Sequence, residues 1–357
     1  MRTAFALLLL PLLSGCASVS YYWQGIRGEF DILERAQPIP AVIETTSDAA
    51  LKRKLERSIS IRDYASRELA LPDNGSYRSY ADIGRRFVLW NVVATPELSL
   101  EPRQWCFPIA GCVNYRGYFE EAAAKGEAAQ FATAGDDVHI GGVPAFSTLG
   151  YFNDPILNTF IRYPDPEVAR LIFHELAHQV AYAKDDSVFN ESFAVLVEEE
   201  GVERWLAAQS DPALAAQFAS IQRYREGFRE LVDRTRNRLT ALYASNASDE
   251  DKRAGKMAEF AQMRADYAAL KVQWGGSAGY DAWFAQGPTN ASLAAVALYS
   301  RKVPEFRALL IAEGGNLPHF YARVQELARM SKGERDQALA AAGSSTASKR
   351  AAQAVTP

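Results

Sequence analysis

Two histidines four residues apart constrain the middle of the chain more than any other feature. His174 and His178 enclose Glu175 in the stretch His174-Glu175-Leu176-Ala177-His178. Residues at this spacing share one face of a helix, and two imidazoles so placed can bind one Zn²⁺. Glu175 could take a proton from metal-activated water and deliver it to a leaving amine. The alternative is a helix whose histidines only satisfy hydrogen bonds in the core.

The flanking residues predict where this helix begins and ends. Asp165 can cap it, Pro166 suits a first turn, and Glu167 favours the positive end of a helix. We expect the helix to run to about Ala183, with a turn over 184–187. A second helix is expected to begin near Asn190.

A third metal ligand is expected, because a catalytic zinc usually has three protein ligands and one open position. Glu191 lies twelve residues after His178, near the start of the second helix. If that helix folds back on the first, its carboxylate can reach the metal. The prediction is therefore Zn²⁺ bound by His174, His178 and Glu191, with Glu175 as the catalytic general base.

Other candidate ligands are weaker. His139 lies in a glycine-rich segment, and His319 lies far away in the sequence. Glu198, Glu199 and Glu200 stand in a row, a pattern more typical of a solvated face, although Glu198 lies two turns from Glu191 on the same side.

The motif and its neighbours resemble known families. Residues 174–178 followed by Asn190-Glu191-Ser192-Phe193-Ala194 resemble the gluzincin pattern, in which the third ligand is a Glu of N-E-x-x-A. The chain is more similar to the bacterial family of predicted aminopeptidase lipoproteins. The matching stretches are 21–24, 105–108 with 111–112, 115–119 and 142–150.

This resemblance implies a mainly helical zincin-like fold, a bound Zn²⁺ and the same ligand set. The large gluzincin aminopeptidases hold the substrate amine with a G-x-M-E-N strand. Residues 142–146 occupy the analogous place but carry no acid. Peptidase chemistry therefore has support from the residues, whereas aminopeptidase specificity rests on the resemblance alone.

The N-terminus predicts export. Residues 5–13 form an apolar run that is too short to span a bilayer and suits a signal peptide. Leu13-Ser14-Gly15-Cys16 resembles the bacterial lipobox, which implies a lipid on Cys16 and a signal peptide over 1–15. Because residue 17 is Ala and not Asp, the expected location is the bacterial cell envelope, on the periplasmic face of the outer membrane. The alternative is an ordinary signal peptide with a chance cysteine.

The two remaining cysteines agree with export. Cys106 and Cys112 are separated by five residues that include Pro and Gly, and an oxidising periplasm allows a disulfide between them. Two buried free thiols are the alternative. A metal pair is disfavoured because the spacing exceeds that of structural zinc sites.

The fold class predicted is mainly α, an α+β zincin-like fold. It combines the zinc helix pair with a small β-sheet or edge strand and a long helical hairpin over 211–273, broken at Ser245-Asn246-Ala247-Ser248. Residues 85–100 read as a strand, and 137–150 as an edge strand or a loop lining a cleft.

Four segments are expected along the chain. They are the signal peptide (1–15), a lipid-anchored N-terminal segment (16–40), a zincin-like metallopeptidase domain (41–340) and a disordered tail (341–357). Within the first segments, a tether should become helical near residues 21–24.

The function that these features predict is hydrolysis of peptide bonds by zinc-activated water. Transition-state stabilisation also needs a hydrogen-bond donor; Tyr299 is one candidate, and Tyr118 and Arg116 are others. One alternative is a lipid-anchored scaffold or binding protein with a structural zinc, and another is a zinc hydrolase of a non-peptide amide. A nucleic-acid partner is not expected, because the net charge is -4 and no basic block interleaved with aromatics occurs.

Overall fold

The computed structural model describes residues 10–107 and 111–342, with backbone alone over 10–20. Within these residues the helices are α1 (Leu10–Arg35), α2 (Ile39–Thr45), α3 (Ala49–Arg67), α4 (Glu121–Thr133), α5 (Asp165–Val180), α6 (Ser187–Gln209), α7 (Pro212–Ala244), α8 (Asp249–Gln273), α9 (Asp281–Ala285), α10 (Asn290–Ser300), α11 (Val303–Ala312) and α12 (Leu317–Arg329). The strands are β1 (Gln37–Pro38), β2 (Ser79–Ala81), β3 (Leu89–Thr95), β4 (Trp105–Phe107), β5 (Gly111–Val113), β6 (Arg116–Tyr118), β7 (Asp137–Val143) and β8 (Ile156–Leu157). The predicted fold class, mainly α with a small β component, is confirmed.

The long helical hairpin is formed by α7 and α8. Ser248 begins the second helix by accepting a hydrogen bond from the Asp251 amide, so the chain reverses at the predicted break. The two helices run antiparallel, since the Tyr224 hydroxyl in the first half of α7 donates to the Trp274 carbonyl after the end of α8. Helix α9, which the sequence did not indicate, covers this end of the hairpin.

One of the three-stranded sheets among the described residues is antiparallel, with strand order β6–β3–β7. Successive residues of β3 point to opposite faces, as strand geometry requires. Val92 packs with residues of α4, whereas Val93 packs with Ala291 and Ala294 of α10. Strand β7 is an edge strand, which agrees with the first of the two predictions for residues 137–150.

The main core lies around α5 and α6. Phe173 of α5 and Phe193 of α6 are fully buried, and α3, α11 and α12 complete the surroundings. A side chain at Gly201 would meet the Phe173 ring at 2.8 Å, so glycine lets the two helices approach closely. Burying aromatic side chains of this size stabilises the fold by about 1.5–3 kcal/mol each.

Helix α5 differs at both ends from the prediction. Pro164 occupies the position before the helix, and Asp165 is its first residue rather than its cap. The Asp165 carboxylate lies 2.6 Å from Lys54 Nζ of α3 instead. The helix ends at Val180, three residues before the predicted end, and α6 begins at Ser187.

The N-terminal region is helical over a greater length than expected, because α1 replaces the predicted tether. Gln24 fastens this helix to the chain just after β6, because its Oε1 accepts from the Phe119 amide at 3.0 Å. Residues 1–9 and 343–357, and with them part of the predicted signal peptide and most of the predicted tail, lie outside the described residues. The Cys16 backbone belongs to α1, and its side chain also lies outside them. Across 10–107 and 111–342, none of the helices combines the length and apolarity that crossing a membrane requires.

Candidate metal centre

The turn between α5 and α6 is fixed by one side chain. The Asn190 amide pairs with both backbone groups of Ala183: its Oδ1 accepts from Ala183 N at 2.7 Å, and its Nδ2 donates to Ala183 O at 2.8 Å. Asp186 adds a cap by accepting from the Phe189 amide. These contacts set the register of α6 and turn its next residue, Glu191, toward α5.

The predicted ligands come together. One side-chain donor atom from each of His174, His178 and Glu191 lies within 4.8 Å of the others. Glu191 Oε2 lies 3.3 Å from His174 Nε2 and 3.6 Å from His178 Nε2. We call these three residues the His–His–Glu cluster. His174 and Glu191 are buried, and His178 is nearly so.

A further residue of the site, Glu198 on α6, orients the cluster. Glu198 Oε2 lies 2.9 Å from His174 Nδ1 and 2.8 Å from an Arg170 guanidinium nitrogen. Arg170 also pairs with Glu167, which in turn pairs with Arg225 of α7. The expectation of a solvated face is wrong for Glu198, whose side chain is only 4% exposed. Its position two turns after Glu191 was the available signal.

The residues present suit a metal ion. A His174 ring that donates through Nδ1 to Glu198 keeps the Nε2 lone pair free on the side of Glu191, which is the usual support of a metal-binding histidine. Two imidazoles and one carboxylate are a donor set used by catalytic zinc sites. The cluster could therefore hold a metal ion.

The electrostatics favour a cation at the same place. Burial works against ionised carboxylates here, yet His174 and His178 lower the pKa of Glu191 to about 2. Burial would lower the pKa of His174, but with a proton rather than a metal ion on Nε2, hydrogen bonds with Glu191 and Glu198 outweigh burial and raise that pKa to about 10. The buried carboxylates of the site thus draw positive charge toward the cluster.

Glu175 belongs to the site but not to the cluster. Its side chain is buried and lines a cavity of about 350 Å³ together with His174, Glu198 and Tyr299. Burial raises the pKa of Glu175, against the opposing charges of His174 and His178. A carboxylate held in this way is a stronger base than an exposed one, which suits proton transfer.

The tyrosine candidates separate clearly. The Tyr299 ring lies 6.2 Å from the His174 ring. Tyr118 instead packs among apolar side chains between β3 and α4. Arg116 pairs with Glu127 at 2.8 Å and lies over the Tyr21 ring, so it too points away from the site. The sequence missed Tyr115, for which no local pattern gave a signal.

Both tyrosines of the site hold their protons strongly. The charge of Glu191 raises the pKa of Tyr299 well above its usual value, although the residue is 38% exposed. Burial raises the pKa of Tyr115, and the charge of Glu191 adds to it. Each hydroxyl therefore stays a hydrogen-bond donor at neutral pH.

The other two histidines lie elsewhere. His139 belongs to β7 opposite Val93 and lines a neighbouring cavity of about 580 Å³, and burial lowers its pKa to about 4. His319 is exposed in the first turn of α12. Neither contributes to the cluster.

Strand β7 and the residues that follow it form one wall of the cleft. Residues 142–145 line the cavity of about 350 Å³ opposite His174 and Glu175. Gly142, Val143 and Tyr299 also line the cavity of about 580 Å³, so the two spaces adjoin. The part of the chain expected to line a cleft does so.

A disulfide lies beside the turn between α5 and α6. Cys106 and Cys112 are bonded across the β4–β5 pair. The Cys112 amide donates to Asp185 Oδ1 at 2.5 Å, which ties this small hairpin to the turn between α5 and α6.

A family model described as "Putative aminopeptidase" matches residues 20–339. The chain belongs to this family. The match includes the cluster, Glu175, Tyr115 and Tyr299, and its length covers most of the chain. No curated protein and no solved structure matches the chain. Membership in the aminopeptidase family supports a peptidase-like function, and a peptidase acts on peptide substrates.

Proposed function

We propose that this member of the aminopeptidase family is a zinc metallopeptidase that hydrolyses peptide bonds, beginning at a free amino terminus. The observation that carries the proposal is the buried His–His–Glu cluster with Glu175 beside it in an open cleft. Structural zinc sites usually fill all four positions with Cys or His, whereas three ligands leave a position for chemistry. The family match supports the peptidase part of this assignment.

His174, His178 and Glu191 would hold the zinc. The ion would supply Lewis-acid chemistry there, polarising a carbonyl and lowering the pKa of water. Glu175 would accept the proton of the attacking water and deliver it to the nitrogen of the leaving amine as the C–N bond breaks. Its buried position and raised pKa suit both transfers.

Tyr299 would donate a hydrogen bond to the oxygen that gains charge in the transition state. Its ring lies beside His174, it lines the same cavity as Glu175, and its hydroxyl keeps its proton. Removing one such donor typically lowers kcat about 10²–10³-fold.

The peptide would lie along residues 138–149. Strand β7 pairs with β3 on one side, and its position at the sheet edge leaves backbone groups for an extended peptide on the other. The cavity wall formed by 142–145 would bring that peptide past Glu175.

The protein would act in the bacterial cell envelope, held to the periplasmic face of the outer membrane by a lipid on Cys16. The lipobox-like sequence at 13–16 supports this location. Metabolic labelling with a palmitate analogue tests it: wild-type protein should take up label and sediment with membranes, and Cys16→Ala protein should do neither.

The deciding experiment is peptide-library digestion by purified protein with known metal content. Wild-type protein should contain about one zinc per chain and cleave peptides with free amino termini faster than blocked ones. Glu175→Gln protein should keep its zinc and lose activity. Zinc bound without turnover of any peptide would instead favour a scaffold with a structural metal.

Two further results would correct parts of the proposal. Equal cleavage of free and N-acetylated peptides would refute the amino-terminal specificity but keep the peptidase. Full activity of Glu175→Gln protein would refute the role of Glu175. Glu203→Gln, an exposed change of the same type on α6, is the matched control and should behave as wild type.

A further inference from the structure

A large cavity lies beside Tyr115, away from the cleft that contains His174 and Glu175. It encloses about 740 Å³ between α1 and the segment that follows β7. Most of its wall is apolar, with Tyr22, Ile26, Phe107, Phe119, Phe146 and Phe152 among the lining residues. Within the described part of the chain, none of its lining residues is charged. Its size falls in the range of about 300–1,000 Å³ that is usual for ligand pockets.

This apolar cavity is connected to the proposed active site through the cavity of about 580 Å³. Tyr115 and Asn91 line both it and the cavity of about 580 Å³, and Tyr299 links the latter to the cleft that contains Glu175. The raised pKa of Tyr115 supports this proximity, because after burial the charge of Glu191 contributes most to it. A ligand in the apolar cavity would therefore contact Tyr115 and lie one cavity away from the cleft that contains Glu175.

The rim of the cavity is also apolar and faces solvent. Tyr151 is 70% exposed and Ile26 50%, although both line the cavity. Exposed apolar groups at the mouth of a pocket are typical of a binding site. Leaving them in water costs free energy, and an apolar ligand would recover it.

We propose that this apolar cavity is a substrate subsite that binds a large apolar or aromatic side chain of the peptide. The inference deepens the proposed function and rests on it. The continuity with the proposed active site favours a substrate side chain as the occupant, and the lack of lining charge excludes acidic and basic side chains as preferred ones. The substrates would be peptides rich in large apolar residues.

Gly25 offers a way to fill the cavity without disturbing its walls. It lies on α1 and lines the cavity, and an added Cβ would meet no atom within 4 Å. Gly25→Phe should therefore place a ring in the empty space, and replacing glycine inside a helix favours the helix. Gly126 is the matched control, because it lies on α4 outside the cavity and also has open space around its Cβ.

The experiment measures binding and cleavage in parallel. Binding is measured by calorimetry with zinc-loaded Glu175→Gln protein, using matched peptides that carry Phe or Ala at each position in turn. Phe should bind at least about 10-fold more tightly than Ala at one position. Gly25→Phe should abolish that preference, leave Ala peptides within about threefold, and lower kcat/KM of Phe peptides alone. Gly126→Phe should change none of these values.

The outcomes separate this inference from the proposed function. Selective binding of Phe peptides without cleavage by the wild type would support the subsite and refute the peptidase. Cleavage with no Phe preference, or an equal effect of Gly25→Phe on all peptides, would refute the subsite and keep the peptidase. Loss of binding to phosphatidylglycerol vesicles by Gly25→Phe protein, with peptide preference unchanged, would also refute it and assign the cavity to the membrane.

Discussion

Glu198 and His174 form a 2.9 Å hydrogen-bonded pair behind the His–His–Glu cluster. Because the same carboxylate oxygen accepts from Arg170, its position is fixed from two directions. Glu191 and Glu198 lie seven residues apart on α6, so one helix supplies both a candidate ligand and the group that orients another. The packing of α6 against α5 thereby determines the geometry of the whole site.

The pair predicts the behaviour of Glu198→Gln protein. An amide can present its own hydrogen atoms to His174 and Arg170, so the imidazole would lose its strong acceptor. Changes at such supporting residues typically cost about 10–100-fold in metal affinity or activity. We expect a loss of this size in zinc affinity, measured by competition with a coloured chelator. Unchanged affinity would mean that Glu198 is only part of the ion-pair network with Arg170.

Tyr299 should influence turnover and leave metal binding intact. Tyr299→Phe removes the hydroxyl while keeping the ring beside His174. We expect kcat to fall about 10²–10³-fold with zinc content and KM nearly unchanged. Tyr163→Phe, at an exposed tyrosine before α5, is the control. A rise in KM at constant kcat would show that Tyr299 binds the substrate and does not stabilise the transition state.

Local sequence patterns predicted the elements whose ends depend on local contacts. The hairpin reverses at the predicted break because Ser248 caps α8 by accepting from the amide of Asp251, three residues further along the chain. The helix that carries His174 and His178 was predicted from its spacing and its Pro166. Its end was not, because Ala183 is held out of the helix by Asn190 across the turn.

The unpredicted parts of the site depend on packing between distant segments. Glu198, Glu199 and Glu200 look alike in the sequence, yet each has a different partner. Glu198 faces His174, whereas Glu199 pairs with Arg229 of α7 and with Arg307 of α11. Tyr115 reaches the site only because the sheet packs beside α10. Neither the contact of Glu198 with His174 nor the position of Tyr115 can be predicted from neighbouring residues in the sequence.

Stability should depend on pH through a carboxyl group on α1. Burial, and then the charge of Asp154, raise the pKa of Glu29 from 4.5 to about 7. Its Oε1 is buried without a hydrogen-bond partner among the described residues. The folded state therefore binds a proton that the unfolded state releases between pH 4.5 and 7, so wild-type stability should fall as pH rises through that window.

Glu29→Gln removes the titrating group and should weaken this fall. Denaturant unfolding should show a gain on the order of 2 kcal/mol relative to wild type at pH 8, with the difference vanishing near pH 4. Glu34→Gln changes an exposed glutamate on the same helix and should show no such trend. A constant difference between Glu29→Gln and wild type at all pH values would contradict the assignment to ionisation.

Removing the metal should destabilise the folded chain. A ligand that binds only the folded state at 1,000 times its Kd adds about 4 kcal/mol of stability, and a domain of 150–250 residues shifts by about 2–4 °C per kcal/mol, with a smaller shift in larger chains. Chelation of the zinc-loaded protein should therefore lower Tm by about 5–10 °C. The drop in Tm should require an intact cluster, because chelation leaves the buried carboxylates of Glu175, Glu191 and Glu198 without a cation.

His178→Ala protein should melt at the same temperature with and without chelator, whereas His319→Ala, at an exposed histidine remote from the cluster, should respond as wild type does. An unchanged wild-type Tm after proven loss of zinc would show that the three side chains are held by their own hydrogen bonds and that the ion contributes little to folding.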